Sequence, residues 1–185
     1  MENENSRGEI MNSVVIVAAG SGRRMNLDIN KQYIKLDEKE MIAHTIDVFY
    51  SNENIDEIIV CIREEEAYFF EHEILDKYDF RNIKIAYGGK ERQDSIYNGL
   101  KQLDSNSNIV LIHDGVRPII DSQLIIDNIE SVKKYGTSIT CLKQRETTII
   151  SKSHENVEEI TNRDETYVAR APQSFFLNDI IEAEE

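Results

Sequence analysis

The residues best suited to chemistry follow a short apolar run near the start of the chain. Residues 14–17, VVIV, have the length and β-branching of a buried strand. Five small residues come directly after it: Ala18, Ala19, Gly20, Ser21 and Gly22. A turn with so little side chain lets backbone N–H groups face an anion, as in glycine-rich phosphate loops. Arg23, Arg24 and Lys31 follow, and cations held in place before a reaction begins stabilise a charged transition state, so we predict a polyphosphate site.

The spacing excludes two common phosphate loops. A dinucleotide-binding fingerprint needs a third glycine where Met25 stands, and a P-loop needs Gly-Lys before Ser or Thr, which the sequence lacks. A tight strand-to-helix turn would by itself explain Gly-Ser-Gly. The cations beside it favour the anion site.

Two further segments follow predicted strands and carry polar residues. Residues 88–95, GGKERQDS, combine a glycine pair with the start of a helix, whose first turn offers free amides. They form a second candidate ligand loop, although a glycine turn leading into a capped helix explains the fold of this stretch equally well. Residues 109–118, IVLIHDGVRP, place Asp114 and Arg117 at one strand end, where a carboxylate can hold a metal and a guanidinium a phosphate. We expect His113 to be structural.

Composition narrows the class of ligand and of protein. The formal charge of −14 has the wrong sign for a nucleic-acid or acidic-membrane partner, so the basic residues must form a local island for a small anion. Cys61 and Cys141 lie in apolar runs without metal-binding spacing, and we expect both to be buried, reduced thiols. No apolar run approaches membrane-spanning length and no secretory signal is visible, which predicts a cytoplasmic protein. Residues 1–10 are predicted to be a flexible leader.

Apolar runs alternate with amphipathic stretches, as in a doubly wound α/β fold: a mostly parallel twisted sheet flanked by helices on both faces. The predicted strands are residues 14–18, 55–62, 83–87, 109–112 and 138–142. The predicted helices are residues 41–50, 64–77, 92–103 and 122–134. In such sheets ligands bind at the carboxyl ends of the strands. We expect residues 11–185 to form one domain.

Residues 143–161 have the pattern of an exposed hairpin that is too polar to cover a core face. Such a hairpin either reaches a partner or is simply solvated. We expect a protruding β-arm at about residues 143–165.

The motifs AAGSGRRM with KQY, GGKERQDSIYNGL and HDGVRP, taken in this order, resemble those of the 2-C-methyl-D-erythritol 4-phosphate cytidylyltransferases. The resemblance implies a Rossmann-like nucleotidyltransferase that moves CMP from CTP to the polyol phosphate, with Mg²⁺ and release of pyrophosphate. It assigns transition-state stabilisation to Arg24 and Lys31. CTP would be bound by Ala18, Ala19, Gly20, Ser21, Gly22 and Arg23, with Gly89, Lys90 and Ser95 around the cytidine. Asp114 would lie beside the triphosphate and the metal, and Gly115 and Arg117 would line the substrate pocket.

The same resemblance implies a homodimer in which the arm brings Thr147 and Arg163 into the neighbouring pocket. The sequence departs from the family pattern at two positions. Glu146 stands before Thr147 where an aspartate is expected, and Ala171 replaces the threonine of a Thr-Pro-Gln motif. The chain stops at Glu185 in what resembles the start of a helix, so we expect a C-terminal part with a substrate-binding lysine to be missing. Ribitol 5-phosphate as acceptor and a non-catalytic nucleotide-binding homologue remain the alternatives.

Overall fold

The fold is a central sheet with helices on both faces, seen in a computed structural model that describes residues 11–20 and 30–184. The strands are β1 (Met11–Val17), β2 (Lys35–Leu36), β3 (Lys39–Glu40), β4 (Glu57–Ile62), β5 (Lys84–Tyr87), β6 (Ser107–Asp114), β7 (Thr137–Lys143), β8 (Ile149–Ile150), β9 (Glu159–Ile160) and β10 (Tyr167–Phe176). The helices are α1 (Met41–Tyr50), α2 (Ala67–Phe70), α3 (Arg92–Leu100), α4 (Ser122–Tyr135) and α5 (Leu177–Glu184). Shorter helical turns are the 3₁₀ turns Lys31–Tyr33 and Glu64–Glu66 and the π-helical Glu71–Asp76.

Within the described residues the main sheet has six strands in the order β5-β4-β1-β6-β10-β7. Strands β1, β4, β5 and β6 are parallel, whereas β10 runs antiparallel to both of its neighbours. The chain places β4 and β5 on one side of β1 and then crosses to place β6 on the other. This reversal creates a switch point beside β1, where open α/β sheets bind ligands.

The two faces of the sheet carry separate apolar clusters. Val14 and Ile16 of β1 pack into one cluster, together with side chains from α1 and α4, whereas Val15 packs into the other with residues of α3. All of these residues are buried because helices cover both faces, which explains why the parallel strands are nearly continuous apolar runs. The predicted α/β class is confirmed.

All five predicted strands occur, four of them within two residues of their expected bounds, whereas β1 begins three residues earlier than expected. The predicted helix at residues 64–77 is a 3₁₀ turn, the short α2 and a π-helical turn in succession, and the helix expected at the chain end is α5. The sequence analysis did not assign β10. The alternation of apolar and polar residues along β10 is weak, because small and polar residues such as Ser174 are buried in it. The Ser174 hydroxyl donates to Asn128 Oδ1 at 3.0 Å, which satisfies it in the core.

The two cysteines differ in environment. Cys61 is fully buried, its thiol donates to Ser95 O at 3.2 Å, and burial raises the pKa of the thiol to about 12. The expectation of a buried thiol is wrong for Cys141, which is exposed. Strand β7 lies at the edge of the sheet. Thr140, the residue before Cys141, faces α4 and accepts from Asn128 Nδ2 at 3.1 Å. Because successive side chains of a strand point to opposite faces, Cys141 lies on the face away from α4.

None of the helices in residues 11–20 and 30–184 is both long and apolar enough to cross a membrane.

Candidate active site

A cleft of about 1130 Å³ opens at the carboxyl ends of β1, β5 and β6. It brings together the three segments that the sequence analysis selected. The basic side chains lining it are Lys31, Arg63, Lys90, Arg92 and Arg117. The acidic ones are Glu65, Glu91 and Asp114. This balance is reversed relative to the whole chain, which has 35 acidic and 21 basic residues, so the described lining suits an anionic ligand.

The turn after β1 continues the sheet pairing beyond the end of the strand. Ala18 N donates to Cys61 O at 2.8 Å, and Gly115 N donates to Val17 O at 2.9 Å. At Gly20 an added Cβ would have no neighbour within 4 Å in the described part of the chain. As far as the described residues go, the backbone there borders the cleft without a covering side chain. Ser21, Gly22, Arg23 and Arg24 lie outside the described residues, and their assigned roles stay predictions.

The turn between β5 and α3 lies against the first one. An added Cβ at Gly88 would be 2.2 Å from Ala19 Cβ, so the close contact of the two turns requires glycine there. Ser95 is buried, and its hydroxyl accepts from Gly89 N at 3.0 Å and donates to Glu91 O at 3.1 Å. Ser95 thus shapes the turn, as in the capped-helix alternative, while it also lines the cleft.

Gly89 is restricted by its own loop. An added Cβ would be 2.1 Å from Asp94 Cβ, and Asp94 Oδ2 accepts from Glu91 N at 2.9 Å, closing the first turn of α3. The absence of a side chain at Gly89 therefore makes room for Asp94. This is a structural reason for glycine that the sequence analysis did not identify.

Asp114 ends β6, as predicted, and is held by two guanidinium groups. Its Oδ2 accepts from Arg117 Nε at 2.7 Å and its Oδ1 from Arg92 Nη2 at 2.9 Å. Burial by itself raises the pKa of Asp114, but the hydrogen bonds from Arg92 and Arg117 outweigh it and hold the pKa below its usual value. Arg92 was missed by the sequence analysis. The signal that could have identified Arg92 is its position as the first residue of the helix that follows the glycine pair.

His113 supports the turn that carries Arg117. Its Nε2 lies 3.0 Å from Arg117 O, and its ring packs edge-on against Phe49 with 5.0 Å between the centroids. Only 1% of the residue is exposed, and burial lowers the pKa of the imidazole. Thr45 Oγ1 adds a hydrogen bond to Gly115 O at 3.0 Å, which fastens the same turn to α1. His113 is thus placed to support the site, as expected.

Lys31 lines the cleft from the 3₁₀ turn Lys31–Tyr33. Gln32 lines the cleft as well, although it is almost fully buried. The side chains of Gln32 and Tyr33 donate to Glu66 Oε2, at 3.2 and 3.1 Å. Glu66 was also missed by the sequence analysis, because nothing in the run EEE at residues 64–66 distinguishes the third glutamate from the other two.

The described residues do not form a resident metal site. In the described ranges no group of three or more His, Cys, Asp or Glu side chains could hold a metal ion. Asp114, the predicted ligand, already accepts a guanidinium hydrogen bond on each oxygen. Its role as a metal ligand stays a prediction that this geometry does not favour. Mg²⁺ takes many of its ligands from substrate phosphates and water, so a site for it would need few protein ligands.

The structure brings most of the described candidates into one cleft. Those lining it are Ala18, Ala19, Gly20, Lys31, Gly89, Lys90, Ser95, Asp114 and Arg117. Gly115 is not among the lining residues, although Asp114 and Val116 on either side of it are. Thr147 and Arg163 are not among the lining residues. They are exposed in the segment around the β8–β9 hairpin, where Arg163 Nη1 donates to Arg145 O at 3.4 Å.

The family model "IspD: 2-C-methyl-D-erythritol 4-phosphate cytidylyltransferase" matches residues 12–185 of the chain. The chain belongs to the IspD family. The 2-C-methyl-D-erythritol 4-phosphate cytidylyltransferase of Clostridioides difficile (strain 630) is 58% identical over 175 residues, which cover 95% of this chain and 73% of that protein. Members of the IspD family are nucleotidyltransferases of the cytidylyltransferase type.

A solved structure agrees with the IspD assignment, and a second kind of relative is less similar to the chain. The 4-diphosphocytidyl-2C-methyl-D-erythritol synthase of Anaerococcus prevotii DSM 20548 superposes with a TM-score of 0.82 at 36% identity, covering 94% of this chain and 73% of that one. A ribitol-5-phosphate cytidylyltransferase of Streptococcus agalactiae serotype V is 38% identical over 181 residues, covering 95% of this chain and 75% of that protein. Of these two curated relatives, the 2-C-methyl-D-erythritol 4-phosphate cytidylyltransferase is the more similar to this chain, at 58% identity against 38%.

Proposed function

We propose that this protein transfers CMP from CTP to 2-C-methyl-D-erythritol 4-phosphate and releases pyrophosphate. One observation carries the proposal: in a member of the IspD family, three strand-end turns meet in a cleft whose described lining is basic within an acidic chain. A cleft of this charge favours a triphosphate and a phosphorylated acceptor over neutral ligands.

The reaction needs positioning and charge stabilisation more than a covalent intermediate. A phosphate oxygen of the acceptor attacks the α-phosphorus of CTP in line, and the bond to the pyrophosphate oxygen breaks. Lys31, at the cleft wall, supplies a fixed positive charge to the crowded phosphorus and the leaving oxygens. Arg24 is proposed to share this task, with Arg23 in support. When bound to the triphosphate of CTP, Mg²⁺ would neutralise part of its charge.

The nucleotide is proposed to lie along the two contacting glycine turns. Backbone amides from Ala18 to Gly22 would face the phosphates, since Gly20 borders open space. Gly89, Lys90 and Ser95 would surround the cytidine. Asp114, Gly115 and Arg117 would line the side from which the acceptor approaches.

The acceptor pocket is proposed to be completed by a second copy of the chain. Apolar side chains are exposed on the β8–β9 hairpin and the loop between its strands: Ile149, Ile150, Val157 and Ile160. This pattern suits a homodimer in which the arm packs on the neighbour. Thr147 and Arg163 are placed outside the cleft of their own subunit, where they are free to reach the partner's.

Ribitol 5-phosphate is the second candidate acceptor, because ribitol-5-phosphate cytidylyltransferases occur among the relatives at 38% identity. Pyrophosphate release measured with CTP and each of the two polyol phosphates separates the candidates. We expect the higher kcat/KM with 2-C-methyl-D-erythritol 4-phosphate and little release when UTP replaces CTP. Higher kcat/KM with ribitol 5-phosphate would transfer the proposal to that acceptor. Tight CTP binding without turnover on either would indicate a nucleotide-binding protein.

A further inference from the structure

Glu66 is a buried carboxylate that accepts hydrogen bonds from several side chains at once. Only 7% of the residue is exposed. Its Oε1 accepts from Asn30 Nδ2 and from the Arg63 guanidinium, and its Oε2 accepts from Gln32 Nε2 and Tyr33 Oη. A buried carboxylate is stable only when its oxygens are satisfied in this way.

Three of these donors surround Lys31 in the chain. Asn30 precedes it, and Gln32 and Tyr33 follow it, so both neighbours of Lys31 are bound to a single carboxylate. Lys31 and Gln32 both line the cleft, but only Gln32 of these two binds Glu66 among the described contacts. The side chains on either side of the lysine are therefore anchored to Glu66, while the lysine side chain is left to face a ligand.

The turn that carries Lys31 has little rigidity of its own. It is a single 3₁₀ turn of three residues, and the Asn30 side chain makes no capping hydrogen bond to it. Turns this short are held mainly by tertiary contacts. Besides Glu66, the edge of the Tyr33 ring packs on Phe69 with 4.8 Å between the centroids.

Arg63 supplies the compensating charge from the end of β4. Its Nε lies 3.1 Å from Glu66 Oε1, and hydrogen bonding to Glu66 raises the pKa of the guanidinium. Removing the carboxylate would release the Lys31 turn and would leave Arg63, which lines the same cleft, with its ion pair to Glu65 at 3.0 Å. One anion thus sets the orientation of two elements at the cleft wall.

We propose that Glu66 is a positioning residue for Lys31. It holds the 3₁₀ turn so that the lysine ammonium faces the reacting phosphates, and it does not itself contact the substrate. This inference rests on the proposed function, because Lys31 must act in the transition state for its positioning to affect turnover.

The first test is Glu66→Gln, which keeps the size of the side chain but turns one acceptor oxygen into a donor. That donor would face either the Arg63 guanidinium, which cannot accept, or Gln32 and Tyr33, which would have to reorient in order to accept, and Arg63 loses its charged partner in both cases. We expect kcat for pyrophosphate release to fall at least about tenfold while KM for CTP changes less than about threefold. Glu64→Gln, the same change at an exposed position of the same turn, is the control and should behave as wild type.

The second test is a double-mutant cycle with Lys31→Ala. If Glu66 acts through Lys31, Glu66→Gln should cost less than about twofold in kcat once the lysine is gone. A merely structural role would give the same loss in both backgrounds. Tyr33→Phe removes one donor and keeps the ring, so it provides a milder member of the series, with an expected loss of a few fold, should Glu66→Gln fail to fold.

The outcomes distinguish this inference from the proposed function. If the wild-type protein makes product, two results would overturn the positioning role alone. One is an unchanged kcat in folded Glu66→Gln, and the other is additive losses in the double-mutant cycle. A wild-type protein that makes no product would overturn the proposed function, and the positioning role with it.

Discussion

Arg92 Nη2 donates a hydrogen bond to Asp114 Oδ1 over 2.9 Å, which joins the first turn of α3 to the end of β6. The two residues belong to different ligand segments of the sequence, and their pairing closes one side of the cleft. Because Arg117 occupies the other carboxylate oxygen, the three side chains form one charged group with a net positive charge. Such a group presents guanidinium donors to an incoming phosphate.

Replacing Arg92 by Met should weaken CTP binding by about tenfold, or ~1.4 kcal/mol. The change keeps the aliphatic stem but removes a cation and leaves Asp114 partly unpaired, so the carboxylate repels the triphosphate. Calorimetric titration with CTP measures the loss. Lys101→Met, at the far end of the same helix, is the matched control, and unchanged affinity in Arg92→Met would show that the pair serves only the fold.

Replacing Lys31 by Ala should lower kcat by about a hundredfold, ~3 kcal/mol, with a smaller effect on CTP binding. The ammonium is expected to act most strongly when charge builds up on the leaving oxygens. Steady-state pyrophosphate release together with calorimetric CTP binding separates the two effects. Equal losses in affinity and in rate would argue against a transition-state role. For Arg24, which lies outside the described residues, Arg24→Lys should be nearly as harmful as Arg24→Ala, because the planar fork is lost.

Two glycine substitutions should differ in kind. Gly20→Ala adds a methyl group into open space, so it should leave stability unchanged but lower CTP affinity at least about tenfold by obstructing the phosphates. Gly89→Ala places its methyl group against Asp94, so it should lower both stability and CTP affinity.

Gly136→Ala provides the control for the Gly20→Ala and Gly89→Ala variants. Gly136 caps α4 with a φ of +88°, so alanine there should cost stability, about 1 kcal/mol, without affecting CTP binding. Thermal unfolding and calorimetry on all three variants check the pattern. Normal CTP binding by folded Gly20→Ala would remove the first turn from the nucleotide site.

Mixing two inactive variants tests the proposed exchange of arms. In a dimer formed from Lys31→Ala and Arg163→Ala subunits, one pocket receives both intact residues and the other receives neither. Random mixing should therefore restore about a quarter of wild-type turnover. Lys31→Ala mixed with Arg24→Ala should restore none, because both residues are proposed to serve their own subunit. Mixed dimers that form and stay inactive would place Arg163 in its own pocket or in none.

The free energy of unfolding should depend on pH through His113. Burial lowers the pKa of the folded imidazole, so the unfolded chain binds the proton more tightly. The contribution to stability is therefore complete above about pH 6.5 and is lost as the pH falls from there towards the folded pKa. His113→Phe removes the titrating group, so its stability should change less than that of wild type between about pH 7.5 and about pH 5.5.

Urea unfolding at the two pH values measures this difference for His113→Phe. At the higher pH the variant should be less stable by about 1 kcal/mol, because the bond from Nε2 to Arg117 O is lost. His154→Asn, at an exposed histidine, should keep the wild-type pH dependence. The same pH dependence in His113→Phe as in wild type would assign the effect to other groups.

The sequence by itself determined the elements and most of the cleft. The β-branched run at residues 14–17, the glycine pair before α3 and the apolar run ending at Asp114 each predicted a strand end or a helix start that the structure contains. These signals are local: side-chain branching, turn-forming glycine and hydrophobic periodicity act over a few residues. The convergence of three strand ends followed from a general property of parallel sheets.

Only the tertiary structure decided which side chains meet. Arg92 pairs with Asp114 across 22 positions of the chain, and Glu66 binds the turn around Lys31 across 33 to 36 positions. Such contacts depend on strand order and register, which no local pattern encodes. The same holds for β10, which enters the sheet between β6 and β7, and for the exposure of Cys141 on the edge strand. In each case the environment of a residue is set by neighbours that are distant in sequence.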